Sequence, residues 1–291
     1  MAPILMIGNG PNYFSGQYGW QDVVRFAAHR VRMANEVESL INEPLPLVYE
    51  AIASRHPSED RKIKVDIATK MRAMAHNAVH EQLMALQWST VLTTNYDRCL
   101  ESASGERFAA KNLDSEATYS LFRRQQSNTW SVWHIHGDMD GPRTMMLGLH
   151  QYTGYLQKLR RYLTTRNGGS PFVFGDKSWK PEDGAHSWAD LFLRGDVHIV
   201  GLGLHYSETV LWWLLSYKQR LRSARRLPIG STTYYQIGNA PTSDKRLKMM
   251  MGLGVTIKPI LSTTKYPSKT DWGRLIAMLE KIEQPRSSIG N

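Results

Sequence analysis

Several short apolar runs in this chain stop abruptly at a polar cluster, and that pattern constrains the fold more than any other feature. Ile4 to Ile7 run straight into Gly8, Asn9 and Gly10. STVLTTNYD carries an apolar, β-branched run through Thr94 into Asn95 and Asp97, and TWSVWHIHGD ends on His136 before Gly137. DVHIVGLGLHYSETVLWWLLSYKQRL reads as strand, glycine turn and helix, while STTYYQIG and GVTIKPI supply two further strands. Runs this short, bounded by glycine and rich in β-branched residues, are buried strands. Helical periodicity fills the intervals. It covers QDVVRFAAHRVRMANEVESLI and IKVDIATKMRAMAHNAVHEQLMAL, with Pro44 and Pro46 between them. It continues at a helix beginning within Tyr96 to Glu101, over much of 143 to 166, and around TDWGRLIAMLEKI. Alternating strands and helices predict an α/β fold with a parallel sheet, in one domain over 1–291 with a helical insertion at about 21–88.

The 291 residues, 42% of them apolar, suffice for one sizeable core. No stretch approaches the roughly 20 uncharged apolar residues of a membrane span, and MAPILMIGNG lacks the basic flank of a signal peptide, so a cytoplasmic protein is expected. The single cysteine, Cys99, excludes an intramolecular disulfide and any zinc site made of several thiolates. A net charge of +10 favours anionic partners, which include nucleic acid, acidic protein and phosphate-bearing ligands. The densest basic stretch, KQRLRSARR at 218 to 226, continues a helix and reads as a solvated face or subunit contact before it reads as a nucleic-acid site. RNGGSPFVFGDKSWKPEDGAHS, rich in Gly, Pro and Ser, is the expected mobile loop.

In a doubly wound sheet the strand ends carrying GNGPN, TNYD and HIHGD converge on one crevice. A glycine-flanked loop lets backbone N–H groups approach a pyrophosphate, although GNG by itself equally describes a strand-terminating turn. Asn95 offers an amide donor and acceptor for ribose hydroxyls or a water, and Asp97 a charge for a cationic ring. His136 can take a proton near neutral pH; the competing reading is a buried histidine satisfied by the backbone, which applies more strongly to His134. His-x-His with His186, His198 and His205 does not complete a recognised metal set, so no metal is expected. Trp212 and Trp213 read as core or oligomer contact.

In order along the chain, MIGNGPNYFSG with Trp20 and Asp22, VLTTNYDRCLE, VWHIHGD, LGLHQYTGYL and IVGLGLHYSETVLWWLL resemble the SIR2-like family of bacterial NAD-binding proteins. The resemblance spans roughly residues 4 to 260 and implies a Rossmann-like sheet with a helical module. It implies that Gly8, Asn9, Gly10 and Asn12, with Thr94, line a phosphate and ribose loop, and that Gly201, Gly203 and Asn239 pass near the adenosine. It further implies Asn95 and Asp97 beside the nicotinamide ribose and His136 as the catalytic histidine. Protein-deacetylating members carry a serine near Gly203 and hold zinc with four cysteines; this chain has neither. Zinc-free relatives resemble NAD hydrolases of prokaryotic antiviral systems, some acting with a HerA-type ATPase or another sensor partner. The implied activity is therefore hydrolysis of NAD to ADP-ribose and nicotinamide, by a homo-oligomer, with nucleic acid sensed only indirectly. The alternatives are an ADP-ribosyl transferase or NAD cyclase of the same fold, a non-catalytic NAD or ADP-ribose sensor, and a nucleic-acid-binding protein.

Overall fold

The computed structural model describes residues 3–15, 19–86, 88–111, 118–175, 186–238, 244–262 and 267–282. The strands are β1 (Pro3–Ile7), β2 (Thr90–Thr93), β3 (Ala109–Lys111), β4 (Arg124–Gln126), β5 (Ser131–His134), β6 (Asp196–Val200), β7 (Thr232–Ile237) and β8 (Thr256–Ile260). They form one eight-stranded sheet in the order β3-β4-β5-β2-β1-β6-β7-β8. From β5 to β8 neighbouring strands run parallel, and β4 and β3 extend the β5 edge antiparallel. The chain reverses its direction of winding beside β1, and the carboxyl ends of β1, β2 and β6 are the place where sheets wound in this way bind their ligands.

The helices are α1 (Trp20–Arg30), α2 (Ala34–Ser39), α3 (Leu45–Arg55), α4 (Asp60–Arg72), α5 (Ala78–Met84), α6 (Cys99–Ser104), α7 (Leu149–Thr164), α8 (Pro171–Phe174), α9 (Trp188–Arg194), α10 (Thr209–Ala224), α11 (Lys245–Gly252) and α12 (Lys269–Leu279). Because strand side chains alternate, β1 feeds both sides of the sheet. Ile4 and Met6 join Trp133, Leu159, Phe192 and Leu214 on the face covered by α7, α9 and α10. Leu5 and Ile7 join Leu83, Leu100, Trp272 and Leu275 beneath α5, α6 and α12. Helices α1 to α4 form a third cluster, closed by Tyr96, Met145 and Leu147 from the loops at the strand ends.

Two sequence expectations shift, the end of β5 and the exposure of Lys218. The strand expected to end at His136 stops at His134; the Ile135 N–H still reaches the Thr93 carbonyl at 2.9 Å, and the chain then turns through His136. The helix expected to begin within Tyr96 to Glu101 begins at Cys99, whose N–H donates to the Asp97 carboxylate at 2.9 Å. Lys218, first in the basic stretch, is buried: its ammonium donates to the carbonyls of Phe192 at 2.7 Å, Ser231 at 3.0 Å and Gly195 at 3.1 Å. Much of the expected mobile loop, residues 176–185, lies outside the described residues. Trp212 and Trp213 are half-buried and stack on Tyr206 and Tyr217, while Leu211, Leu214 and Leu215 enter the core. Among the described residues no helix is long and apolar enough to cross a membrane.

Candidate functional site

Parallel pairing sets the site. Ile7 of β1 lies opposite Thr93 of β2 and Val200 of β6, and Thr93 lies opposite His134 of β5. The residues that follow each strand therefore emerge side by side: Gly8 to Asn12, Thr94 to Asp97, Ile135 to Asp138 and Gly201 to Glu208. Gly8 and Gly10 are needed where the first of these loops crosses the last. A Cβ on Gly8 would stand 2.7 Å from the Gly201 oxygen and the Leu202 Cα, and one on Gly10 would stand 2.7 Å from the Gly201 Cα. The close approach is thus between two loops of the protein. Their donors are spent there as well, since Gly8 N–H bonds the Val200 carbonyl and Gly10 N–H the Gly201 carbonyl. The phosphate contacts expected of these two amides do not fit that pairing.

Side chains then tie the loops together. Asn12, fully buried, donates through Nδ2 to Asn9 Oδ1 at 2.7 Å and to Asp97 Oδ2 at 3.0 Å, leaving its own Oδ1 buried without a partner. Asn95 donates through Nδ2 to the Gly8 carbonyl at 3.2 Å, which fixes the plane of its amide. Asp97, with one oxygen on Asn12 and the other on Cys99 N, bridges the first two loops. Burial pushes the Cys99 thiol up, so it stays protonated.

His134 and His136 have different surroundings. His134 is the satisfied core histidine, with Nδ1 at 2.7 Å from the Asn95 carbonyl and Nε2 at 2.8 Å from Glu101 Oε1. Arg98 reinforces that carboxylate at 2.8 Å and reaches Asp140 at 2.7 Å. Burial opposes charge on His134, yet the Glu101 carboxylate outweighs it and holds the imidazole above its ordinary 6.5. Burial likewise opposes charge on Glu101, and His134 with Arg98 outweigh it to hold the carboxyl below 4.5. The histidine contribution to stability is therefore full below 6.5 and lost as pH rises through its raised value; that of Glu101 is full above 4.5 and lost as pH falls. Urea denaturation from about pH 6 to about pH 8 should show wild-type stability declining more than that of His134→Gln. Parallel curves for the two proteins would refute the ion pair.

His136 is deeply buried and lacks such support. Its Nδ1 stands 3.5 Å from the Tyr152 hydroxyl, and its Nε2 has no hydrogen-bond partner. Burial drives its pKa down to about 3, so the ring is neutral at physiological pH and keeps a lone pair. Facing Nε2 at 3.6 Å is Oε2 of Glu208, also unpartnered and buried, in a carboxyl that burial pushes up to about 7. Sequence reasoning passed over Glu208, which reads as a solvated residue ahead of a helix. Its position after the glycine turn of a strand that flanks the crevice is the signal that could have found it.

On the β6 side, Gly201 packs against the first loop, and the Gly203 carbonyl accepts from Arg246. Asn239 lies outside the described residues. Thr94 donates its backbone N–H to the Ile7 carbonyl at 3.4 Å, holding the ends of β1 and β2 together. No group of three or more His, Cys, Asp or Glu side chains among the described residues is arranged to hold a metal ion.

Comparison with known families matches one part of this arrangement. Residues 89–175 match the family model of the SIR2-like domain, and the matched segment contains Asn95, Asp97, His134 and His136. The eight-stranded, mostly parallel sheet flanked by helices agrees with the Rossmann-like fold of such domains. Domains of this family bind NAD, which makes an NAD-related activity the coarse functional reading. Comparison with curated proteins returns no significant match.

Proposed function

We propose that this chain, carrying a SIR2-like domain, is an NAD glycohydrolase that converts NAD and water to ADP-ribose, nicotinamide and a proton. The observation that carries the reading is the meeting of Asn95, Asp97 and His136 at adjacent strand ends inside the SIR2-like segment. The orphaned buried Oδ1 of Asn12 suits a ligand rich in hydroxyl groups, such as a ribose. The spent N–H groups of Gly8 and Gly10 leave the pyrophosphate to other donors.

In this mechanism the bond between nicotinamide nitrogen and ribose carbon breaks first, and positive charge develops on the ribose. Asp97 contributes through its field, because both of its oxygens are already engaged and it is poorly placed to move a proton. Asn95, its Nδ2 anchored on Gly8, presents Oδ1 to a ribose hydroxyl or to the attacking water. His136, neutral in its buried site, accepts the proton released as water adds. The single cysteine leaves no four-cysteine zinc module, which favours destruction of NAD over deacetylation. We place the activity in antiviral defence in the cytoplasm, with NAD depletion switched on through oligomerisation or a partner such as a HerA-type ATPase.

Asn95→Ala and His136→Ala should each lower NAD cleavage by roughly 100-fold or more while the protein still unfolds cooperatively. Mass analysis of products distinguishes hydrolysis from transfer or cyclisation, since only hydrolysis yields free ADP-ribose in step with nicotinamide. Wild-type rates in both folded variants would overturn the assignment.

A further inference from the structure

Glu208 stands beside His136, and the reaction sketched above does not use it. It lies outside the matched segment, directly before α10, where a carboxylate would ordinarily face solvent. Here the side chain turns inward and is only 13% exposed, with Oε2 orphaned. Burying a carboxyl with no cation against it is costly, and a hydrogen bond from the Tyr152 hydroxyl offsets that cost only in part, so its placement here points to use. The groups facing it come from three other elements: His136 from the loop after β5, Tyr152 from α7 and Tyr96 from the loop after β2. Tyr96 is committed elsewhere, its hydroxyl donating to the Met146 carbonyl at 2.7 Å. The His136 ring is thereby bracketed, with Glu208 3.6 Å from Nε2 and Tyr152 3.5 Å from Nδ1. Tyr152 also meets it edge to face, 5.2 Å between ring centres.

We propose that Glu208 is the positioning partner of His136: its carboxylate faces an Nε2–H, selects the tautomer that leaves Nδ1 free to accept a proton, and balances the charge that forms there. The proposal rests on the reading of His136 as the base in NAD cleavage. An O–H bond of the attacking water or of a ribose hydroxyl breaks, a bond from Nδ1 to hydrogen forms, and the proton leaves to solvent after the product departs. Nε2 keeps its own proton throughout, directed at Oε2. The Tyr152 contact, at the limit of hydrogen-bond length, is the one that an incoming hydroxyl replaces. Had Glu208 been protonated it would donate to Nε2 instead, forcing the proton onto Nδ1 and removing the base. Burial puts the carboxyl value at about 7, so the competent carboxylate is present above that pH and lost below it. Cleavage should therefore rise with pH through about 7, where Tyr96 and Tyr152, both raised by burial, stay neutral.

The test uses the whole chain with NAD as substrate. Glu208→Gln, of nearly equal shape, should lower kcat about 10- to 100-fold with KM changed less than about threefold, and should flatten the rise near neutral pH. Glu208→Asp, which keeps a carboxylate, should recover part of kcat and restore the rise. An unchanged profile and kcat in Glu208→Gln would overturn the proposal. Nitrogen-15 NMR of labelled histidines in the protein without NAD supplies a reading independent of turnover. The His136 signals, identified by their loss in His136→Gln, should show the Nε2-protonated tautomer above neutral pH and change as pH falls through neutrality. That change should vanish in Glu208→Gln; if this variant does not fold, the wild-type titration alone decides, and a single tautomer at every pH refutes the pair. A titrating pair in a protein that leaves NAD intact would defeat the NAD reading and spare the pair. Brisk NAD cleavage with identical His136 signals in wild type and Glu208→Gln would do the reverse.

Discussion

Gly137→Ala should destabilise the protein by about 3–5 kcal/mol and, on the proposed activity, take NAD cleavage down with it. Gly137 follows His136 with φ at +90°, in the left-handed region that a side chain strains. Its missing Cβ would stand 2.1 Å from the Thr144 carbonyl oxygen and 2.7 Å from the Met145 nitrogen, both backbone atoms that no rotamer can clear. The turn is also bonded on every side. Gly137 N–H reaches the His134 carbonyl at 3.1 Å, Met146 N–H the His136 carbonyl at 2.9 Å, and Asp138 Oδ1 accepts from Asp140 and Gly141 N–H at 3.0 Å. Relief of the clash must move the 142–146 segment or His136 itself, so the residual folded protein should cleave NAD poorly. Urea denaturation followed by tryptophan fluorescence measures the first effect, and a midpoint within error of wild type would refute the geometry.

A comparable loss, about 3–5 kcal/mol, is expected from Asp190→Ala. Asp190 is fully buried in α9 and collects donors from three elements. Tyr162 at the end of α7 donates at 2.5 Å, Ser187 donates through N–H at 2.8 Å and through Oγ at 2.9 Å, and the Ser170 hydroxyl ahead of α8 completes the set. Alanine would take the shared acceptor from these donors in a site closed to solvent, and each unsatisfied group costs about 1–3 kcal/mol. Asp190→Asn keeps the volume and one acceptor oxygen, so it should lose roughly half as much. Since Asp190 lies away from the crevice, the folded fraction of either variant should retain a wild-type KM for NAD. Equal stability of Asp190→Ala and wild type would show that these bonds are offset in the unfolded chain.

Five of the six strands that could be read in advance share a physical property; β8, the sixth, is an edge strand with mostly exposed residues. β1, β2, β5, β6 and β7 lie within the sheet, and all are apolar enough to stand out from their surroundings. β3, with the exposed residues Ala109 to Lys111, and β4, with Arg124 to Gln126, carry no such contrast. They are strands because β5 offers an edge to pair with, which is a property of the neighbour. The boundary at His134 has a similar origin, since the turn at Gly137 and its bonds to the 144–146 segment pull His136 out of register.

For the site, local sequence was sufficient to nominate polar residues at strand ends, and register in a parallel sheet brings those ends together. Asn12, Asn95, Asp97 and His136 were therefore legible as a group, and Cys99 by its isolation disfavoured a zinc module. What those side chains do there was decided by tertiary structure. It assigned His134 to an ion pair with Glu101, committed both oxygens of Asp97, and turned the amides of Gly8 and Gly10 toward β6. It also turned Glu208 inward to face His136. The reason is that hydrophobic periodicity is a local property which survives in one dimension, whereas hydrogen-bond satisfaction is a count taken over all neighbours in space. Only the folded chain determines which buried polar atom is left without a partner, and so which atom is available for chemistry.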